Sequence, residues 1–306
     1  MMRTNRSVAW PSDFLRLLGM TRPKKPVHGL LLAATVGAIA IASAFARADE
    51  MPKAFRPCID PSNLPFANTQ GEGFENHIAD LFAKKLGLPV QSYAFPQRMN
   101  FIRNTLRYRL PDEDFRCDIV MSVPVGYDQA STTIPYYRST YMIVYPKGKG
   151  LDQIKVGADL FALPPDVLRN LSIGVYDRSP GSTWLARHGL EAQVKLYPIL
   201  SPDPEQYPGE IIEKDLAQGK INAAIVWGPI AGYYAERVRN VELVLAPLKS
   251  EPGVKFDFEI AMGVRYGERE WKETVERLIT DNRAAITQIL REYNVPMLNE
   301  RGDLVP

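Results

Sequence analysis

The side chains that suggest chemistry in this 306-residue chain are two cysteines, two histidines and two glutamates, namely Cys58, Cys117, His77, His188, Glu72 and Glu75. The histidines are far apart in sequence and not at ligand spacing from the cysteines, so a metal site is not supported. The two glutamates lie three residues apart near a predicted helix start, where the helix macrodipole accounts for acidic residues. Gly71-Glu72-Gly73 lacks the third glycine of a dinucleotide fingerprint. We therefore expect no catalytic residue, no metal and no cofactor.

The N-terminal segment has the pattern of an export signal. An uncharged apolar run from Gly29 to Ala46 follows three basic residues and ends at the small-residue site Ala46-Arg47-Ala48. We expect residues 1–48 to be removed and the remaining chain to be periplasmic and free of the membrane. An uncleaved membrane anchor is the alternative, and translation could start at Met1 or at Met20.

The charge balance changes once this segment is set aside. The whole chain carries a formal charge of +2, but seven of its 37 Lys and Arg and only one of its 35 Asp and Glu lie in the first 48 residues. The mature chain is thus acidic, with a formal charge of about −4. No basic motif or stripe restores a case for nucleic-acid binding, which we exclude.

Export also affects the two cysteines. Disulfides persist in oxidising compartments, and Cys58 and Cys117 are the pair available in this chain. A disulfide between them is the expected state. Two buried thiols are the alternative.

Short apolar runs alternate with amphipathic segments from Phe55 onward, a pattern that predicts an α/β protein with parallel strands. We predict strands at residues 55–60, 90–95, 117–123, 171–176, 221–227 and 256–264. We predict helices at residues 74–86, 99–108, 211–218, 229–237 and 268–293, and one from residue 183 onward.

The order of these elements predicts two lobes. The chain is expected to cross between them near residues 140–145 and again near residues 253–260, which makes a double-crossover hinge with a cleft beside it. The predicted boundaries are residues 49–142 for the first part of lobe 1, 143–253 for lobe 2, and 254–306 for the return to lobe 1 and the C-terminal helix.

The order of segments resembles the type II periplasmic binding proteins over nearly all of residues 53–295. The matching segments include a first ligand loop, a third strand, a strand into the hinge and a second-lobe strand, at residues 63–66, 117–120, 133–137 and 219–226. A more specific resemblance lies in six segments: CIDPSNLPFAN, GEGFENHIADLFAKKLG, PQRMNFIRNTL, CDIVMSVPVGYD, TIPYYRSTYMIVY and IVWGPIAGYYA. Together they are similar to the family associated with quinoprotein (PQQ) methanol dehydrogenase, called MxaJ or XoxJ. In this fold the first and third strands are neighbours, which implies a Cys58–Cys117 bridge.

Two positions depart from the amino-acid-binding relatives. In those proteins an arginine after the third strand pairs with the ligand carboxylate, and a second-lobe aspartate pairs with its ammonium group. The matching positions here hold Asp128 and Trp227. The resemblance therefore implies that this chain has lost both charges of the clamp for free amino acids.

The candidate cleft residues all follow predicted strands, because ligands of open α/β sheets gather at the carboxyl ends of strands. They are Asn63, Phe66, Pro124, Gly126, Tyr127, Asp128, Ser179, Gly181, Ser182 and Trp227. Gly181 and Ser182 precede a helix and could present amide donors to an anion. Structural alternatives exist: Ser182 as an N-cap, Phe66 and Trp227 as lobe packing, and Tyr127 as a turn residue.

The family resemblance implies an accessory protein that binds a methanol dehydrogenase subunit, or a small or aromatic ligand, through the cleft and assists activation or assembly. The first alternative is the solute receptor of an ABC transporter, which a solute held in the cleft would favour. The second is an enzyme such as a dehydratase, which paired carboxylates or histidines of perturbed pKa would favour.

Overall fold

A computed structural model describes residues 52–97, 100–199 and 206–305. The predicted signal segment, residues 1–48, lies outside these ranges. Within them the strands are β1 (Pro57–Ile59), β2 (Ser62–Asn63), β3 (Ala67–Asn68), β4 (Tyr93–Ala94), β5 (Ile119–Pro124), β6 (Ser131–Thr132), β7 (Tyr137–Pro146), β8 (Ile173–Tyr176), β9 (Val194–Tyr197), β10 (Ala223–Trp227), β11 (Leu243–Pro247) and β12 (Asp257–Val264). The α-helices are α1 (Phe74–Leu86), α2 (Phe101–Asn104), α3 (Pro165–Arg169), α4 (Pro180–Arg187), α5 (Gly228–Arg237), α6 (Arg269–Asp281) and α7 (Arg283–Glu292).

Short helical turns complete the described chain, with 3₁₀ turns at Gly157–Ala162 and Glu191–Gln193 and a π-helical turn at Ile211–Leu216. The last of these replaces the α-helix predicted over residues 211–218. Gly219 adopts a φ of 72°, a left-handed conformation that favours glycine, and so ends the turn where predicted.

The large sheet runs in the order β4-β1-β5-β12-β7-β10-β8-β9, with β6 beside β12 and β11 beside β7. Parallel pairing joins β1 to β4 and β5, and β8 to β9 and β10. The mixed sheet with parallel strands and covering helices confirms the predicted α/β class.

Strand β7 joins two halves of this sheet. Its residues 137–140 pair with β12, whereas residues 141–144 pair with β10 and residues 142–146 with β11. We call β4, β1, β5, β6 and β12 the first half, and β8, β9, β10 and β11 the second half. Strand β7 contains the predicted crossing at residues 140–145, and β12 begins within the predicted crossing at residues 253–260. The exact lobe boundaries stay a prediction.

Alternation of side chains along the strands separates the core into layers. In the second half one face carries the Tyr145 cluster, which includes Ile143, Tyr145, Ile173, Val175, Trp184, Ala223, Ile225 and Phe256. The other face carries the Ile211 cluster, which includes Met142, Val144, Ile211, Ile212, Ala224, Val226 and Tyr234.

The first half has the same arrangement. One face carries the Phe74 cluster, which includes Phe55, Phe66, Phe74, Ile78, Phe82, Ile119, Met121, Tyr137, Ile260, Met262, Leu290 and Tyr293. The opposite face carries the disulfide cluster, made of Cys58, Ile102, Leu106, Cys117, Val120, Val123 and Ala130.

The C-terminal helical region differs from the prediction of one helix over residues 268–293. Asn282 separates α6 from α7, and its side-chain amide donates to the carbonyl oxygen of Leu278 at 2.9 Å. Its own carbonyl oxygen accepts from the amide of Ile286. Asparagine competes for backbone groups in this way, which is why it ends one helix and starts the next.

Candidate functional site

The first candidate residues lie in the loop after β1, which rests on the start of α1. The amides of Phe74 and Glu75 donate to the carbonyl oxygens of Pro65 and Phe66 at 2.9 and 2.8 Å. A Cβ at Gly73 would lie 2.1 Å from the Phe66 carbonyl oxygen, so this approach requires glycine. The first-turn amides of α1 are thus used by the loop itself.

Asn63 and Phe66 have different surroundings within that loop. The side-chain amide of Asn63 donates to Gln97 at 2.7 Å, and the residue is partly exposed. Phe66 is buried in the Phe74 cluster, with its ring 5.2 Å from that of Phe74. These contacts match the alternative in which Phe66 is a packing residue.

The loop after β5 holds four candidates. Gly126 and Asp128 are exposed, and Pro124 is partly exposed. Tyr127 packs against the disulfide cluster, and burial, followed by the charge of Asp128, raises its pKa. The hydroxyl of Tyr266 donates to the backbone oxygen of Asp128 at 3.2 Å. Tyr127 thus contacts the face of the first half opposite to Phe66.

Ser179, Gly181 and Ser182 form the start of α4. Ser179 is the N-cap, because its hydroxyl oxygen accepts from the amide of Ser182 at 3.3 Å. The hydroxyl of Ser182 donates back to the carbonyl oxygen of Ser179 at 2.8 Å. The N-cap alternative considered for Ser182 thus belongs to Ser179, three residues earlier, and α4 starts at Pro180 rather than near residue 183.

Trp227 lies at the end of β10, within an aromatic cluster formed with Tyr141, Phe256 and Phe258. Its ring centroid is 5.4 Å from that of Tyr141 and 5.8 Å from that of Phe258. Both Trp227 and Phe258 are partly exposed and pack against the Phe74 cluster. Residues from β7, β10 and β12 therefore form one aromatic surface where the two halves of the sheet meet.

The contacts bring Phe66 and Trp227 to the same core cluster, although they come from different halves of the sheet. Tyr127 contacts the opposite face of the first half. Ser179–Ser182 form the N-terminal cap and first turn of α4. The assignment of all ten residues to one cleft stays a prediction.

A buried polar group at the start of α1 was not among the predicted site residues. Glu75 is 8% exposed, and burial raises the pKa of its carboxyl to about 7; a hydrogen bond with Ser122 lowers that pKa, and the nearby Asp60 raises it. The hydroxyls of Ser122 and Tyr136 share a hydrogen bond of 3.0 Å. The phenol oxygen of Tyr137 is buried and has no hydrogen-bond partner in the described part of the chain.

A bulge in β5 places Ser122 toward this group. Val120 and Val123 pair with Gly263 and Ala261, so β5 has one residue more than β12 over this interval. Ser122 has a φ of 53°, and after it Val123 faces the disulfide cluster like Val120. The bulge therefore leaves the Ser122 hydroxyl on the side of Glu75.

The sequence did contain a signal for the burial of Glu75. Counting from Glu75 by helical steps reaches Ile78, Ala79 and Phe82, all of which are buried in the Phe74 cluster. The carboxyl thus occupies the apolar stripe of α1, and the acidic-first-turn interpretation did not take that position into account.

The predicted disulfide is present. Cys58 in β1 and Cys117 just before β5 are bonded, with 5.3 Å between their Cα atoms. Asp118 beside it pairs with Arg265 at 2.7 Å and with Arg56 at 2.6 Å, and the Asp118 and Arg265 side chains are only 7% and 10% exposed. A covalent bond and a buried ion network therefore fix the base of β1 and β5.

In residues 52–97, 100–199 and 206–305, no group of three His, Cys, Asp or Glu side chains is arranged to hold a metal ion. Across those ranges no helix is both long enough and apolar enough to cross a membrane.

Comparisons with known proteins identify close structural relatives, although no family model matches the chain. The periplasmic binding protein XoxJ from Methylobacterium extorquens AM1 is 33% identical, with a TM-score of 0.64 over 81% of this chain and 100% of XoxJ. Protein MoxJ from Paracoccus denitrificans is 26% identical over 262 residues, 79% of this chain and 88% of MoxJ. An ancestral arginine-binding protein bound to glutamine is 20% identical with a TM-score of 0.52, over 80% of this chain and 99% of that protein, and shows the shared fold.

Proposed function

Because this chain belongs to the XoxJ/MxaJ family of periplasmic binding proteins, we propose that it is a periplasmic accessory protein of a PQQ methanol dehydrogenase. In this proposal the mature chain binds a dehydrogenase subunit through the cleft between its lobes and assists the activation or assembly of the enzyme. The observation that carries the proposal is the 33% identity over the full length of XoxJ.

The chemistry of the candidate cleft supports a protein partner. The aromatic cluster offers Trp227 and Phe258 as partly exposed rings at the junction of the two halves. Large aromatic side chains dominate the binding energy of protein interfaces, because they bury much area at a low entropic cost. An aromatic surface of this kind suits a peptide segment of the partner, or a flat aromatic ligand.

The proposed cleft is poorly suited to a free amino acid. At the two clamp positions the chain has an exposed carboxylate, Asp128, and an indole, Trp227. Trp227 is packed against Tyr141, its cross-strand neighbour in β7. Asp128 would repel an α-carboxylate at its position, and Trp227 offers no negative charge to an α-ammonium, so a zwitterion held in that orientation would lose hydration without compensation.

Affinity isolation from periplasm tests the proposal. The tagged mature chain, residues 49–306, is expected to retain the large subunit of a methanol dehydrogenase, identified by mass spectrometry, in cells grown on methanol. A bound small solute with no dehydrogenase would instead support a transport receptor. Absence of the dehydrogenase at moderate salt contradicts the proposal.

A further inference from the structure

Helix α5 packs against the second half of the sheet and also against residues of the first half. It starts directly after β10, and Tyr234 belongs to the Ile211 cluster of the second half. Ile230 and Tyr233 pack against both that cluster and the Phe74 cluster of the first half. This helix is therefore a third connection between the halves, in addition to β7 and β12.

Two glycines allow α5 to approach this closely. A Cβ at Gly232 would lie 1.8 Å from the carbonyl oxygen of Asn294, just beyond α7. A Cβ at Gly228 would lie 2.5 Å from the carbonyl oxygen of Thr140 in β7. Because both obstacles are backbone atoms, no rotation of a side chain could relieve the overlap.

Two tyrosines of α5 add directed contacts to the first half. The ring of Tyr233 stacks on that of Tyr293, with centroids 5.8 Å apart and planes 17° from parallel. The hydroxyl of Tyr234 donates to the carbonyl oxygen of Leu64 at 3.0 Å. Leu64 lies in the loop after β1 that carries Asn63 and Phe66, so α5 fixes one wall of the candidate cleft.

We propose that α5 is a latch that holds the two halves of the molecule in one arrangement before any partner binds. A hinge built only from β7 and β12 would let the halves rotate as rigid bodies. Rotation here must also unstack Tyr233 from Tyr293, break the Tyr234–Leu64 hydrogen bond and separate Gly232 from Asn294. The cleft is thus preformed, and a partner that requires a wider cleft must first release α5. This inference does not depend on which partner binds.

Distance measurements between spin labels test the latch. Both native cysteines are held in the disulfide, so cysteines introduced by Lys84→Cys on α1 and Ala186→Cys on α4 are labelled selectively. Both positions are exposed and lie on helices that cover different halves of the sheet. We expect a single narrow distance distribution for the labelled protein without a partner.

Variants of α5 give the decisive comparison. Gly232→Ala and Tyr233→Ala should broaden the distribution or add a second distance, whereas Glu236→Ala, on the exposed side of the same helix, should not change it. Tyr234→Phe removes one oxygen atom and should speed amide exchange in residues 63–68, which keeps the test valid if Gly232→Ala does not fold. Several distances in the unmodified protein overturn the proposal. The proposal is also overturned if the latch variants leave the distance distribution unchanged, or if Tyr234→Phe leaves the amide exchange rates unchanged.

Discussion

Glu75→Gln should remove part of the pH dependence of folding stability. The carboxyl is buried beside Ser122, and burial raises its pKa from the usual 4.5 to about 7. Glutamine keeps the size and hydrogen-bonding capacity of the protonated carboxyl but cannot ionise. The substitution therefore removes the cost of holding a negative charge in the Phe74 cluster.

The sign and size of the effect follow from proton linkage. Below pH 4.5 the glutamate is largely protonated in both states, so its ionisation costs nothing. Between pH 4.5 and about pH 7 the folded state holds a proton that the unfolded state has lost, so stability falls as the pH rises. At about 1.4 kcal/mol for each pH unit of this interval, the loss reaches roughly 3 kcal/mol above pH 7.

Urea unfolding at about pH 4.5 and about pH 8 measures this contribution. The unmodified protein, compared with Glu75→Gln, should lose about 3 kcal/mol more stability between the two conditions. Glu72→Gln, at an exposed carboxyl just before the same helix, controls for the removal of one negative charge. Equal pH dependence of the unmodified and Glu75→Gln proteins would refute the reasoning, as would a carboxyl titration of Glu75 by NMR near pH 4.5.

Three further outcomes are expected. Replacing both Cys58 and Cys117 by alanine should lower the free energy of unfolding by roughly 2 to 4 kcal/mol in chemical denaturation, because the bridge closes a chain segment of 59 residues. Asp118→Asn should cost about 3 kcal/mol or more, since it removes the carboxylate that pairs with both Arg56 and Arg265 in a buried network, whereas Glu113→Gln at an exposed pair should change little; equal effects contradict this. Calorimetry with common amino acids should show no micromolar binding, and such binding would mean that Asp128 and Trp227 do not occupy the clamp positions.

Much of the fold was predictable because local and global signals agree. The apolar stripe of α1 and the left-handed Gly87 that follows it gave its extent correctly. The apolar runs gave the buried strands β5, β8 and β10 to within a few residues. The disulfide was also predictable, because the strands that carry the two cysteines are adjacent in the fold that the sequence resembles.

Other features depend on tertiary contacts that a pattern does not contain. Short β11 and the bulge at Ser122 arise from pairing with distant strands, and the hydrogen bond of Glu75 with Ser122 depends on that bulge. The close approach of α5 requires Gly228 against Thr140 and Gly232 against Asn294, and each of these neighbours is more than 60 residues away in sequence.

Calorimetric titration of the mature chain with the cognate methanol dehydrogenase subunit tests the central claim most directly. We expect saturable binding at tens of micromolar protein and moderate salt, clearly weakened by Trp227→Ala. The control Tyr108→Ala, at an exposed aromatic residue outside the aromatic cluster, should bind like the unmodified chain. Trp227→Ala should change the free energy of unfolding by no more than about 2 kcal/mol, so that weaker binding reports the surface rather than the fold. No detectable association, or equal affinities for the unmodified chain and Trp227→Ala, would contradict the account.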